Sequence, residues 1–150
     1  MSESSSDMMA NINEFNQNLI AEFRANGGKV GGNFEGAPVV LMHHVGRKTG
    51  KESVNPVMYL ADQNDETTIY VFASKGGAPT DPDWYHNMTD AGRAVVEVGT
   101  ETYEVVVREV SGTERDAVYA EQASRYPGFA EYEEKTAGIR VIPVLALTRA

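Results

Sequence analysis

The chain has 150 residues, of which 41% are hydrophobic and 23% charged, and this composition predicts a single globular domain with a substantial core. Its 13 Lys and Arg residues against 22 Asp and Glu residues give a formal charge of −9, which argues against nucleic acid as a partner because nucleic-acid binding depends on cations. The absence of cysteine excludes disulfides, thiolate nucleophiles and Cys-ligated metal sites. No apolar run approaches the roughly 18 to 20 residues of a membrane span, and no signal-peptide pattern is present, so we expect a cytoplasmic protein.

The first predicted helix follows a polar segment, residues 1–9, that we expect to be disordered, and the single domain is expected to cover residues 10–150. Apolar residues at helical spacing predict an amphipathic helix over residues 10–25. Its apolar face consists of Ile12, Phe15, Leu19 and Phe23. This helix either packs on the core, covers an apolar substrate site, or makes a weak contact with a membrane surface that would place the protein at the inner face of the membrane. Its few basic residues argue against strong attraction to anionic lipid.

A β-hairpin is predicted where two apolar runs, residues 39–45 and 54–60, flank a short polar connection. The connection holds two glycines and three cations: Gly46, Arg47, Lys48, Gly50 and Lys51. Glycine permits a positive φ and a close approach of a ligand to the backbone, and converging cations favour an anion such as a phosphate or a carboxylate. A solvated turn is the alternative interpretation, but a cluster of cations is unusual in so acidic a chain.

A third strand is predicted over residues 67–74, followed by a short helix within the sequence PTDPDWYHNM. Thr80 or Asp81 is expected to cap this helix, with Pro82 in its first turn. The N-terminus of the helix is a second place where an anion could bind, unless Asp81 and Asp83 occupy it themselves.

The rest of the chain predicts two strands, over residues 94–98 and 102–110, joined by a Gly-Thr turn. Ser111 and Glu114 match the capping-box pattern S-x-x-E, which predicts a helix from that point to about residue 125. The last two predicted elements are a short helix over residues 129–136 and a strand over residues 139–147 that contains Pro143.

Six strands, largely joined by hairpins and with helices at the margins, predict a mainly β protein. The chain shows no β-α-β alternation and no G-x-G-x-x-G motif, so a small barrel of about six largely antiparallel strands is favoured over a doubly wound sheet. Pro143 implies that the last strand lies at an edge or contains a bulge, because proline cannot donate to a sheet ladder.

Five motifs occur in order along the chain: G-R-K-T-G-K at 46–51, V-N-P-V-M-Y-L at 54–60, A-S-K-G-G at 73–77, P-x-W-Y-x-N at 82–87 and Y-P-G-F-A-E-Y at 126–132. Together they resemble the deazaflavin-dependent nitroreductase family, actinobacterial oxidoreductases that use reduced coenzyme F420. The resemblance covers the chain from about residue 13 to its end. It implies a split β-barrel and hydride transfer from the reduced deazaflavin to quinones, nitroaromatics or activated enones.

The resemblance also implies where the cofactor lies. Coenzyme F420 resembles a flavin with an anionic phospholactyl-polyglutamate tail, and Arg47, Lys48 and Lys51 are the cations that we assign to this tail. The other implied cofactor-binding residues are Thr49, Ser53, Val54, Asn55, Pro56, Val57, Met58, Ala73, Ser74, Lys75, Trp84, Tyr85 and Asn87. For Trp84 and Tyr85, packing in the core is an equally good interpretation of the sequence.

Substrate-binding residues are implied at four positions: Met58, Tyr126, Phe129 and Tyr132. The three aromatic residues recur every three positions, a spacing that is also typical of a core-facing helix. Some relatives have an aromatic residue at Met58 and a tyrosine at Phe129, which leaves the substrate range open. Hydride transfer is chemistry of the cofactor, so the protein's catalytic role is to stabilise negative charge on the acceptor, and Ser74 and Tyr132 are the candidates for this role.

The histidines predict no metal site. His43 and His44 are adjacent on a strand and therefore point to opposite faces, and His86 has no H-E-x-x-H partner, so structural or surface roles are expected for all three. Two alternative functions remain at this point: an FMN-dependent split-barrel oxidoreductase, and a non-catalytic binder of F420 or lipid. The sequence leaves the oligomeric state open.

Overall fold

The computed structural model describes residues 5–31 and 36–150, with side chains described from residue 14 onward in the first helix. Within these ranges the element order agrees with the sequence prediction. The elements are α1 (Ser5–Ala25), β1 (Val39–Val45), β2 (Glu52–Ala61), β3 (Thr68–Phe72), a 3₁₀ turn (Lys75–Gly77), α2 (Asp83–Ala91), β4 (Arg93–Val98), β5 (Glu101–Val110), α3 (Gly112–Arg125), α4 (Gly128–Thr136) and β6 (Val144–Arg149).

The six strands close into a barrel in the order β1-β2-β3-β6-β5-β4, and every pair is antiparallel. This confirms the predicted mainly β barrel of six strands. The expectation that Pro143 marks an edge or a bulge is wrong, because β6 is paired on both sides. Pro143 lies one residue before β6, where its missing N–H costs no ladder bond, and its carbonyl accepts a hydrogen bond from the Ala73 N–H at 2.9 Å.

Strand alternation divides the apolar side chains between the barrel interior and its outer faces. On β1, Val40 and Met42 belong to the interior cluster, whereas Val39 and Leu41 pack with α1 on the outside. The outward residues of β3 and β6 pack in the same way against α3 and α4. Trp84 of α2 joins the interior cluster, so α2 closes one end of the barrel.

The helix α1 begins earlier than the sequence suggested. It runs from Ser5 to Ala25, whereas a helix was expected over residues 10–25 after a disordered tail of residues 1–9. Residues 1–4 lie outside the described residues. The Ser and Asp residues before the apolar pattern are types that helix N-termini favour, so the polar composition that predicted a tail also suits a first helical turn.

Two predicted helix caps are replaced by ion pairs with arginine. The Asp81 carboxylate accepts a hydrogen bond from Arg140 Nη1 at 2.8 Å and does not cap α2, whose N-cap residue is Pro82. Ser111 is the N-cap residue of α3 but makes no side-chain cap bond, and Glu114 pairs with an arginine of β5 instead of completing a capping box. An arginine within reach offers these carboxylates stronger hydrogen bonds than a backbone N–H does.

The described part of α1 is fixed to the barrel by packing and by one half-buried carboxylate. Leu19 and Phe23 are buried beside β1. Arg24 donates to both oxygens of Glu97, at 3.0 and 2.7 Å, and the His43 Nε2–H donates to Glu97 at 2.6 Å. The hydrogen bonds from Arg24, and secondarily that from His43, hold the pKa of Glu97 below its usual value. Among the described helices none is long and apolar enough to cross a membrane.

Replacing Glu97 with Gln is expected to destabilise the fold by about 1–2 kcal/mol at pH 7, because charge-assisted hydrogen bonds to Arg24 and His43 become neutral ones. A lowered folded-state pKa contributes stability that is present above the unfolded value of about 4.3 and is lost as pH falls through the folded value. The difference from the wild type, measured by urea unfolding, is therefore largest near neutral pH and shrinks below about pH 4.

Glu101→Gln is the matched control, since Glu101 pairs with Arg149 at an exposed position and such pairs contribute only about 0–1 kcal/mol. Equal stability losses for the two variants across the pH range would contradict the role given to Glu97.

Candidate active site

A cleft of about 1040 Å³ opens beside the β1–β2 turn, a size suited to a cofactor with a small substrate. Its walls come from that turn, β2, the end of β3 with the following 3₁₀ turn, α2 and α4, and Asn16 of α1 also reaches it. Fifteen of the nineteen residues predicted for the site line this cleft: Arg47, Lys48, Thr49, Lys51, Ser53, Asn55, Pro56, Val57, Met58, Ser74, Lys75, Trp84, Asn87, Phe129 and Tyr132.

Four predicted site residues do not line the cleft. The Val54 side chain packs with α1 because of strand alternation, and Ala73 is fully buried in the barrel interior. Tyr85 lies on another face of α2, where its hydroxyl donates to Glu109 at 2.6 Å, and burial together with this bond raises the pKa of Tyr85 to about 12. Tyr126 packs against the cluster beneath α3 and α4.

Eight lining residues were not among the nineteen predicted site residues, although Gly46 had been placed in the anion-binding turn and Pro82 and Asp83 at the second candidate anion site. They are Asn16, His44, Gly46, Phe72, Gly76, Pro82, Asp83 and His86. His44 had been given a structural or surface role, although its alternation with Val40 and Met42 already indicated an inward side chain. The opposite directions predicted for His43 and His44 are confirmed, because His43 contacts Glu97 and His44 lines the cleft.

The β1–β2 turn owes its shape to hydrogen bonds within its own backbone. The Gly46 N–H donates to the Lys51 carbonyl and the Gly50 N–H donates to the Gly46 carbonyl, each at 2.8 Å. Gly50 has a φ of 70°, which glycine adopts without strain, and a Cβ at Gly46 would collide with the Thr49 hydroxyl. Gly50 is thus favoured by the backbone of the turn, whereas a side chain at Gly46 would require Thr49 to move.

The cations of this turn have no carboxylate partner among the described residues. Within residues 5–31 and 36–150, every arginine except Arg47 forms an ion pair, and no lysine does. Lys48, Lys51 and Lys75 therefore bring unpaired charge to the cleft, and Asp83 is the single carboxylate among its described lining residues. The cleft is therefore positively charged inside a protein whose formal charge is −9, an arrangement that attracts anionic ligands.

The turn after β3 is held by a half-buried arginine. Arg140 donates to the carbonyls of Ala73, Ser74 and Ala78 at 3.0–3.1 Å, and it also pairs with Asp81. These bonds fix the backbone of the A-S-K-G-G motif and place Ser74 at the wall of the cleft. Lys75, in the same turn, has a φ of 48°, an uncommon conformation outside glycine.

The wall opposite the β1–β2 turn, which we call the basic turn, is aromatic. Phe129 packs edge-on against Phe72 and Tyr132, with ring centroids 5.6 and 5.4 Å apart. Phe129 is only 8% exposed, so it serves the outer core while its edge reaches the cleft. Trp84 has the same double role on the side of α2, being buried in the barrel interior and also exposed to the cleft. These rings therefore pack in the core and also line the cleft, and their contact with a cofactor or substrate stays a prediction.

Comparison with known proteins is consistent with this geometry. Residues 16–149 match the family model described as F420H(2)-dependent quinone reductase. A relative from Mycobacterium tuberculosis, named F420H(2)-dependent quinone reductase Rv1261c, is 32% identical over 136 residues that cover 86% of each chain.

Two solved structures have the same barrel. One, titled as the structure of an F420-H2 dependent reductase (FDR-A), has a TM-score of 0.63 and 34% identity over 73% of this chain and 93% of that chain. The other, described as a domain-swapped dimer, has a TM-score of 0.64 and 31% identity over 96% and 99% of the two chains. The chain therefore belongs to the F420H(2)-dependent quinone reductase family, and it is an F420-dependent oxidoreductase.

Proposed function

We propose that this protein reduces a quinone by hydride transfer from reduced coenzyme F420, which it binds along the cleft with the anionic tail at the β1–β2 turn. The observation that carries the proposal is the presence of unpaired cations beside an apolar and aromatic wall. A cofactor that joins a charged tail to a planar ring matches both halves of such a cleft.

The basic turn fits the tail of the cofactor. Arg47 can bind a phosphate through two parallel hydrogen bonds, and Lys48 and Lys51 add charge for the carboxylates that follow. Each well-formed bond contributes about 1.5–3 kcal/mol, and less where the pair is exposed to solvent. The supply of cations exceeds what one phosphate needs, which favours F420 over FMN.

The remaining lining residues would hold the ring. Met58 and Val57 of β2 and Trp84 of α2 supply apolar surface, and Lys75 supplies a polar contact at the edge of the ring. When bound, the reduced cofactor supplies the hydride. The protein's own contribution is to orient the ring, to exclude water with the aromatic wall, and to stabilise charge on the acceptor.

Ser74 and Tyr132 are proposed to stabilise that charge. Both line the cleft, and among the described residues neither side-chain hydroxyl has a hydrogen-bond partner. Two O–H donors that are not used by the fold are available to an acceptor oxygen that becomes negative. Nitroaromatics and activated enones present a similar electron-poor π-system with such an oxygen, so we propose them as further acceptors.

Contact with a membrane surface through residues 10–25 stays a prediction. In the described part of that helix, Leu19 and Phe23 are buried against the barrel. Phe15 is the large apolar side chain that remains exposed, at 53%. We therefore assign the proposed function to the cleft and not to this helix. We propose that the protein acts in the cytoplasm.

The proposed function is tested by anaerobic mixing of the protein with reduced F420 and menadione, following the return of the oxidised deazaflavin absorbance. Reduced FMN and NADPH are run in parallel, with a control that lacks enzyme. Protein-dependent oxidation confined to F420 is the expected result. Turnover only with FMN would favour the flavin alternative, and binding of F420 without turnover of any acceptor would favour a carrier.

Replacing Arg47 and Lys48 together with Ala is expected to raise the Kd for F420 about 10- to 100-fold, because two charge-assisted contacts are lost. The loss is expected to grow with the number of glutamates in the tail and to shrink as salt is added. Fluorescence titration with cofactor of defined tail length measures both effects. Arg125→Ala, which removes an exposed cation of α3, is the matched control and should leave the Kd unchanged. An unchanged Kd for the double variant would remove the basic turn from the binding site.

Ser74→Ala and Tyr132→Phe each remove one hydroxyl and little else. If the hydroxyl contacts the acceptor oxygen, kcat falls about 10- to 100-fold while the Kd for the cofactor changes less than threefold. Steady-state kinetics with menadione, alongside cofactor titration, separates the two quantities. A rise in Kd with wild-type kcat would instead assign the hydroxyl to cofactor binding.

A further inference from the structure

A chain of side-chain hydrogen bonds joins the basic turn to the floor of the cleft through His44. The Arg47 N–H donates to Asn87 Oδ1 at 3.1 Å. Asn87 Nδ2 lies 3.0 Å from His44 Nδ1, and His44 Nε2 lies 2.6 Å from Asn55 Oδ1. His44 is 7% exposed, so the centre of this chain is shielded from water.

The direction of every bond in the chain follows from its first member. A backbone N–H can only donate, so Asn87 must present its oxygen to Arg47 and its amino group to His44. His44 Nδ1 then accepts and carries no proton, which places the ring proton on Nε2, where it is donated to Asn55 Oδ1. The arrangement fixes both carboxamides and one neutral tautomer of His44 at once.

Two consequences for the cleft follow. Both polar atoms of Asn87 make one hydrogen bond inside the protein, so Asn87 holds the basic turn against α2, and its second Nδ2–H remains available to a ligand in the cleft. The oxygen of Asn55 also accepts a hydrogen bond, whereas its amino group has no partner among the described residues. Because Asn55 lines the cleft, we infer that this amino group is available there as a donor. The rim between Asn55 and Arg47 therefore presents donors, which match phosphate and carbonyl oxygens.

We propose that His44 is a positioning residue that sets the orientation of Asn55 and Asn87, and thereby holds the anion-binding turn and its donors in place for the cofactor. The proposal rests on the proposed binding of F420 in this cleft. It assigns to His44 a role that neither its position in a motif nor a contact with the ligand would indicate.

Protonation of His44 is incompatible with this chain of hydrogen bonds. A second ring proton on Nδ1 would face the Asn87 amino group, so that two donors would meet. If the Asn87 carboxamide reversed to accept this proton, its amino group would face the Arg47 N–H, and two donors would meet there instead. The tether of the turn would break at one of these two bonds. The other charged or titratable groups facing this end of the cleft are Arg47, Lys48 and Lys51 of the turn, Lys75, and Asp83 and His86 of α2.

Three variants separate the two arms of the chain. His44→Phe removes both bonds, His44→Asn retains an acceptor near the Nδ1 position for Asn87, and His44→Gln retains a donor near the Nε2 position for Asn55. His43→Gln is the matched control, because His43 is the neighbouring residue on β1, points to the opposite face and contacts Glu97.

The first readout is the Kd for oxidised F420 at pH 8. The wild type and His43→Gln are expected to bind alike, while His44→Phe binds about 10-fold more weakly. His44→Asn should recover part of the affinity by restoring the hydrogen bond to Asn87. A wild-type Kd for His44→Phe would overturn the proposal.

The second readout needs no cofactor. ¹⁵N NMR of the imidazole in the cofactor-free protein at pH 8 is expected to show a neutral His44 protonated on Nε2, and hydrogen exchange at the Arg47 amide should be about 10-fold faster in His44→Phe than in His43→Gln. A proton on Nδ1, or equal exchange in the two variants, would contradict the chain of hydrogen bonds itself. If these hydrogen bonds are present but the wild type binds no F420, it is the proposed function that fails.

Discussion

The candidate site depends on three cations that have no carboxylate partner among the described residues. Outside the cleft, arginines of the described chain are matched with carboxylates, and the surplus of acid makes such matching easy. At the β1–β2 turn, Arg47 is the one described arginine without an ion pair, and Lys48 and Lys51 beside it are unpaired like the other described lysines. Clustering like charges is unfavourable for the protein alone, so the arrangement is best understood as prepared for an anion that arrives from solution.

The closed barrel makes this arrangement rigid. Every strand is paired on both sides, so the hairpin that carries the basic turn cannot shift its register without breaking a ladder. The wall facing it is fixed by different means: Arg140 holds the turn with Ser74, and α2 is anchored in the barrel interior by Trp84. The hydrogen bonds through His44 then link the basic turn to the facing wall, because they connect a strand of the barrel, the basic turn and α2.

The sequence predicted the elements and most of the cleft because period-2 alternation and glycine-bracketed turns are local signals. It failed where a partner distant in sequence decided the outcome. Asp81 was expected to cap a helix, but its carboxylate pairs instead with Arg140, which is 59 residues away in the sequence. Tyr85 belongs to a site motif, yet Glu109 draws its hydroxyl to another face. His44 carried an alternation signal that was readable but not used, since nothing local indicated its two amide partners.

Affinity for the cofactor should reside in the unmatched cations, and equilibrium titration with F420 and with the same deazaflavin ring lacking its phosphate and glutamates tests this. We expect the ring alone to bind at least about 100-fold more weakly, and added salt to weaken the binding of F420 but not of the ring. Equal affinities for the two ligands, or binding of F420 that is insensitive to salt, would contradict this expectation.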